Sequence, residues 1–182
     1  MRVNFEAPVR LTEALLPLLR RTAAVGEAVA GRAGGRELSD AVFAGRQLKA
    51  PVAIVNVTST SARISRLGTG AYSAAKAALA AWSDSLALEE RRHGVHVADV
   101  LPGFIATEGF PQAELRANPL TRWAVSDVER VAEAVIEAGP GGAPEAYVPR
   151  YYWLGALLRV IAPGLIRCGA SSGAMATNTK SV

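Results

Sequence analysis

A disulfide within this chain is excluded, because its 182 residues hold one cysteine, Cys168. A lone thiol fits a reducing, cytoplasmic setting. Long apolar runs are missing too. No stretch reaches the roughly 18–20 apolar residues of a spanning helix, and the opening MRVNFEAPVR carries charge where a secretory signal would be apolar. Lysine is scarce: 17 arginines stand against 3 lysines, a bias closer to GC-rich codon usage than to a binding surface. The net charge of +4 is scattered rather than striped. Arg20–Arg21 and Arg91–Arg92 fall where helices should end, and cations there complement the helix dipole. No nucleic-acid partner is expected from that distribution. The only histidines, His93 and His96, flank Gly94. With no third ligand nearby they read as a helix end and a strand position, and no metal is expected.

What is present suits an α/β protein. Half the residues are hydrophobic and a fifth are charged. APVRLTEALLPLLRR (7–21) has a helical period, with Pro17 set to kink it or to fall near its end. Residues 22–48 are rich in glycine and small residues and weak in periodicity, so they read as an insertion, a mobile loop or a frayed helix. PVAIVNVTS (51–59) is a buried-strand pattern. A long helix fits Ala71 to Arg92, closed by Gly94, and VHVADVL (95–101) is a second strand stopped by Pro102–Gly103. Residues 104–125 read as loop. SDVERVAEAVIEA (126–138) opens with Ser126 and Glu129 at a capping-box spacing. EAYVP (145–149) is a third strand. The apolar YYWLGALLRVIAPGLI (151–166) reads as packing or a pocket lid in preference to membrane contact, and 167–182 as a disordered tail. Strands alternating with helices predict a parallel sheet of about three strands with helices on its faces, a partial doubly wound fold in one domain over 1–166. Such sheets place their chemistry at the carboxyl ends of their strands.

The stretch GAYSAAKAAL (70–79) sets Tyr72 four residues before Lys76, on one helix face. A phenol is a poor base at neutral pH, and a neighbouring ammonium favours the phenolate. A hydroxyl such as Ser59 can hold the same reacting oxygen. Alone, this pair is weak evidence; an amphipathic tyrosine beside an exposed lysine is the plainer reading. Ser61, two residues beyond Ser59, reads as a loop hydroxyl rather than a substitute nucleophile.

The surrounding order is more specific. IVNVTSTSARISRLGTGAYSAAKAAL followed by GVHVADVLPGFIAT resembles the short-chain dehydrogenase/reductase family. Ser59 precedes Tyr72 by 13 residues, as in the family's serine-to-tyrosine spacing. YSAAKAAL resembles its catalytic helix, PGFIAT its Pro-Gly motif, and VNFEAPVRLTEALLP the helix that opens with its catalytic asparagine. The resemblance spans most of 3–21 and 50–165. It implies a Rossmann-like fold and an NAD(P)-dependent oxidoreductase acting on a small carbonyl or secondary alcohol. Tyr72 would be the proton donor or acceptor. Lys76 would favour the phenolate and bond the nicotinamide ribose. Ser59 would orient the substrate, and Asn4 would hold a water that links Lys76 to solvent. Pro102, Gly103, the Ile105 backbone and Thr107 would hold the cofactor's carboxamide end. Ser61, Phe104 and Phe110 would line the substrate pocket, and helices 7–21 and 72–92 would pair two copies across a two-fold axis.

Two departures accompany the resemblance. The family's opening strand, its glycine-rich turn and its Asn-Asn-Ala-Gly strand have no counterpart in these 182 residues, so only its catalytic part is matched. The cofactor's pyrophosphate would then lack its helix N-terminus. Asn4 and Ser59 also lie 55 residues apart, about twice the family's separation. An insertion at 22–48 that loops out reconciles this at small entropic cost. The competing expectation is a catalytically inactive remnant that serves as an oligomerisation or interaction module.

Overall fold

The computed structural model describes residues 1–32, 42–43, 46–47, 49–107, 117 and 122–171. At its centre is a parallel sheet of three strands: β3 (Ala53–Val57), β4 (His96–Pro102) and β7 (Glu145–Val148), in the order β3–β4–β7. Ala53 pairs with His96 and Val57 with Val100; Asp99 pairs with Glu145 and Pro102 with Val148. Short ladders lie outside it. β1 (Val42–Phe43) and β2 (Arg46–Gln47) are antiparallel, and β5 (Phe104–Ile105) and β6 (Val125–Ser126) are parallel.

Alternation along β4 sets the two faces. Ala98 and Val100 pack with Ala134 and Ala138 of helix α3 (Val128–Ala138). Val97 packs the other way, with Leu16 of helix α1 (Ala7–Arg32) and Leu86 of helix α2 (Gly70–Glu90). A strand buried on both faces reads as a nearly continuous apolar run, as VHVADVL does. Helices therefore cover both faces of the sheet, and the predicted partial doubly wound fold is present.

The alanines and serines of α2 have a packing reason. Its buried positions include Ser73, Ala75, Leu79, Ala80, Ser83 and Leu86, and small side chains let the helix axis approach the strands closely. Arg20 of α1 clips onto α2 by bonding both carboxylate oxygens of the fully buried Glu90, with Nε to Oε2 at 2.8 Å. That pair holds the Glu90 carboxyl below its ordinary pKa. Helix α2 closes through a turn at Arg91–His93 and Gly94, whose φ of 69° is a left-handed cap. His96 bonds the Ala138 carbonyl at 2.8 Å and so ties β4 to the end of α3. Among the described residues no cluster of metal-binding side chains forms, and no helix is long and apolar enough to cross a membrane.

Several boundaries differ from the sequence reading. Helix α1 passes through Pro17 and continues to Arg32, so residues 22–32 are helical. Leu19 and Ala23, packed with Val52 and Val95, carry it onward where periodicity is weak. Residues 33–41, 44–45 and 48 of the expected insertion lie outside the described residues. Asp127, not Ser126, holds the N-cap of α3, because Ser126 is drawn into β6. The apolar C-terminal segment forms helix α4 (Tyr152–Ile161) and helix α5 (Pro163–Ser171). The latter runs past residue 166, where the tail was expected to begin; 172–182 lie outside the described residues.

Candidate active site

The carboxyl ends of β3 and β4 lie side by side, and the chain leaving β3 turns at once. Ser59 caps a short turn at Thr60–Ala62: its Oγ accepts from the Ser61 amide at 3.1 Å. The same hydroxyl donates to the Pro102 carbonyl at 3.4 Å, and Thr60 donates to that carbonyl at 3.3 Å. Ser59 is thereby fixed against the end of β4, and both Ser59 and Ser61 are buried.

Tyr72 and Lys76 occupy the first turns of α2. Lys76 lies on the sheet-facing side of the helix, between the buried Ser73 and Ala80. Its ammonium donates to the Val57 carbonyl at 2.8 Å, at the last residue of β3. Burial pushes its pKa below the ordinary lysine value, and Asp99 pulls the other way. Tyr72 sits on the flank, 40% exposed. The structure thus gathers Ser59, Lys76, Pro102 and Gly103 at one end of the sheet, with Tyr72 one helical turn from Lys76. Asn4 sits in a π-helical turn (Arg2–Glu6) that packs against α2. No bond joins Asn4 to Lys76 among the described residues. Ile105 lies in β5, and Thr107 follows it exposed. Phe110 lies outside the described residues.

Three participants escaped the sequence reading. Arg66, on the loop between Ser59 and Tyr72, holds its guanidinium carbon 4.4 Å from the centre of the Phe104 ring and donates to Ser61 Oγ at 3.3 Å. Nothing in RISRLG marks it out. Tyr152 packs so closely over Gly103 that a Cβ there would collide with its ring, and it donates to the Ala124 carbonyl at 2.8 Å. Burial pushes that phenol up to about 12. Tyr151 bonds the Trp123 carbonyl beside it. Ile64 meets Gly155 of α4, so this helix covers the loop after Ser59, as a pocket lid would. Asp99 is the third. It is buried on β4, and neither oxygen reaches hydrogen-bond geometry with a partner among the described residues. Ser83, whose Oγ accepts from Asn56 at 2.7 Å, draws near enough to offset a little of the burial. Desolvation therefore dominates and raises the Asp99 carboxyl to about 7. A charged residue inside an apolar strand was the available signal.

Comparisons with known proteins find similarity over this part of the chain. The family model for short chain dehydrogenases matches residues 41–117. A mouse (3R)-3-hydroxyacyl-CoA dehydrogenase is 32% identical over 92 residues, covering 50% of this chain and 31% of its own length. A 3-oxoacyl-[acyl-carrier-protein] reductase of Vibrio cholerae is 35% identical over 108 residues, covering 59% and 39%. The chain therefore matches about a third of the length of these relatives. A short chain dehydrogenase of Burkholderia cenocepacia, solved in complex with NADP, aligns with a TM-score of 0.53 at 28% identity, covering 66% of this chain and 47% of its own. Over residues 41–117 the chain is therefore similar to short chain dehydrogenases, and its fold is similar to that of a solved one.

Proposed function

We propose that the chain carries the catalytic end of an NAD(P)-dependent oxidoreductase acting on a carbonyl or secondary alcohol, with Tyr72 as the proton donor or acceptor. One observation carries this reading: Lys76 is anchored to the last carbonyl of β3 and Ser59 to that of Pro102, which fixes both at the carboxyl end of the sheet, with Tyr72 one helical turn from Lys76. The nicotinamide end of the cofactor suits the residues present. Lys76 uses one of its three N–H donors on Val57, which leaves two for a ribose hydroxyl. Pro102 ends β4, and Gly103, Ile105 and Thr107 follow it in the chain. Among the described residues no glycine-rich strand–turn–helix is present for the pyrophosphate.

A bound dihydronicotinamide would supply the hydride. In the reductive direction, Tyr72 Oη gives its proton to the carbonyl oxygen as that oxygen gains charge. The Lys76 ammonium stabilises the phenolate left behind. Ser59 turns its one proton from the Pro102 carbonyl to the same substrate oxygen and orients it. Asn4, at the turn that packs on α2, holds a water through which Lys76 reaches solvent and the proton is restored. Tyr72→Phe should lower kcat for a reducible ketone by about 100-fold or more, while NADPH affinity stays within a few fold. Unchanged turnover in that variant would refute the assignment.

The second reading, an oligomerisation module, is favoured by α1. Leu11, Leu15, Leu18 and Val25 are exposed along one stripe of that helix, which suits pairing through 7–21 and 72–92.

A further inference from the structure

The loop between Ser59 and Tyr72 carries a cation that the proton relay does not use. Arg66 is half-buried. Its guanidinium lies over Phe104, 4.4 Å from the ring centre, and one N–H reaches Ser61 Oγ at 3.3 Å. Among the described residues it has no carboxylate partner, unlike Arg20, Arg63 and Arg150, each of which is paired. Its electrostatic neighbours are the phenols of Tyr72 and Tyr152. Tyr152, pushed up to about 12, is neutral at physiological pH and offers no counter-charge.

Burying a cation without an anion costs stability. Here the aromatic face repays part of that cost. Of five N–H donors in the guanidinium fork, one is bonded to Ser61, and the rest have no partner among the described residues. Backbone bonds hold the loop in shape whatever the side chain: the Arg66 amide donates to Thr69 Oγ1 at 3.2 Å, and that hydroxyl donates back to the Arg66 carbonyl at 2.9 Å. The side chain is therefore free to serve a ligand.

We propose that Arg66 is a specificity-determining residue, receiving a carboxylate on the substrate while Tyr72 and Ser59 address its carbonyl or hydroxyl. This rests on the oxidoreductase reading for what happens next, but not for the binding itself. A planar guanidinium backed by an aromatic ring matches a carboxylate in a way that a lysine would not. Ser61 holds the fork in place, and Phe104 supplies an apolar wall for the carbon chain. The substrate class is an oxo or hydroxy acid.

The test begins without cofactor. Hexanoate and its neutral amide are titrated against the full chain by ligand-observed NMR, beside Arg66→Gln and Arg66→Lys. Hexanoate should bind at least about tenfold more tightly than the amide, the loss of a charge-assisted bond being of that order. Arg66→Gln should erase the difference and Arg66→Lys keep part of it. Equal binding of acid and amide by the unaltered chain overturns the proposal, as does an acid preference that survives Arg66→Gln. With NADPH present, Arg66→Gln should raise KM for 4-oxopentanoate about tenfold and leave KM for its methyl ester and both kcat values in place. Equal rises for acid and ester overturn it too. Absence of turnover with either ketone counts against the oxidoreductase reading and leaves the cofactor-free comparison standing.

Discussion

Asp99 shows what a single misfit residue does. Its carboxyl is raised from an ordinary 3.8 to about 7, first by burial, with Asp84 and Glu145 adding to that and Ser83 and Arg63 opposing it. Below pH 4 the acid is protonated in both folded and unfolded chains, and its protonation has no effect on stability. Between there and pH 7 the unfolded chain gives up the proton while the folded chain keeps it. This contribution to stability therefore falls as pH rises across that window, by roughly 4 kcal/mol. Asp99→Asn should flatten the fall and melt higher than the unaltered chain at pH 8. Parallel melting curves for the two proteins between pH 5 and pH 8 would show that Asp99 finds a compensating partner. Residue-scale chemistry was only partly legible beforehand. Tyr72, Lys76 and Ser59 could be proposed from sequence because their spacing is itself a signal. Arg66 was not, because an arginine in a loop becomes informative only once Phe104 and Ser61 are seen against it.

At the scale of elements, sequence patterns located every core piece, and tertiary contacts moved the edges. β3, β4 and β7 lie within the predicted runs because strands buried on both faces must be apolar throughout. Helix α1 outran its prediction: Pro17 removes one backbone bond, yet Leu16, Leu19 and Ala23 pack on either side of it. The capping box at Ser126 failed because pairing with Ile105 competes for that residue. The junction after β4 is the tightest. Gly103 is required there by the ring of Tyr152 rather than by an unusual backbone angle. Gly103→Ala should displace that ring, break its bond to Ala124 and lower stability by about 1–3 kcal/mol. Its chemical denaturation midpoint measures the effect, and an unchanged midpoint would mean that α4 shifts freely.

At the scale of the whole molecule, three parallel strands carry helices on both faces, as the alternation of elements foretold. Strand β3 is the outer strand of the described sheet, and Val57 on it is 45% exposed. The stripe of Leu11, Leu15, Leu18 and Val25 leaves α1 half-dressed for a monomer. If two copies pair there, Leu15→Lys with Leu18→Lys should convert a dimer to a monomer in sedimentation, with little change in circular dichroism. A monomer before substitution would rule that pairing out. The pairing was expected from resemblance rather than from composition, since an exposed leucine becomes visible only after the buried face of α1 is known.

The central claim is that Lys76, Tyr72 and the carboxyl end of β4 form a site for a nicotinamide cofactor. A fluorescence titration of the 182-residue chain with NADPH and with NADH, beside Lys76→Ala, tests it most directly. The account predicts saturable binding that Lys76→Ala abolishes or weakens at least about tenfold, since two charge-assisted bonds to a ribose are lost. Binding that is indifferent to Lys76, or none from a chain shown to be folded, would contradict it.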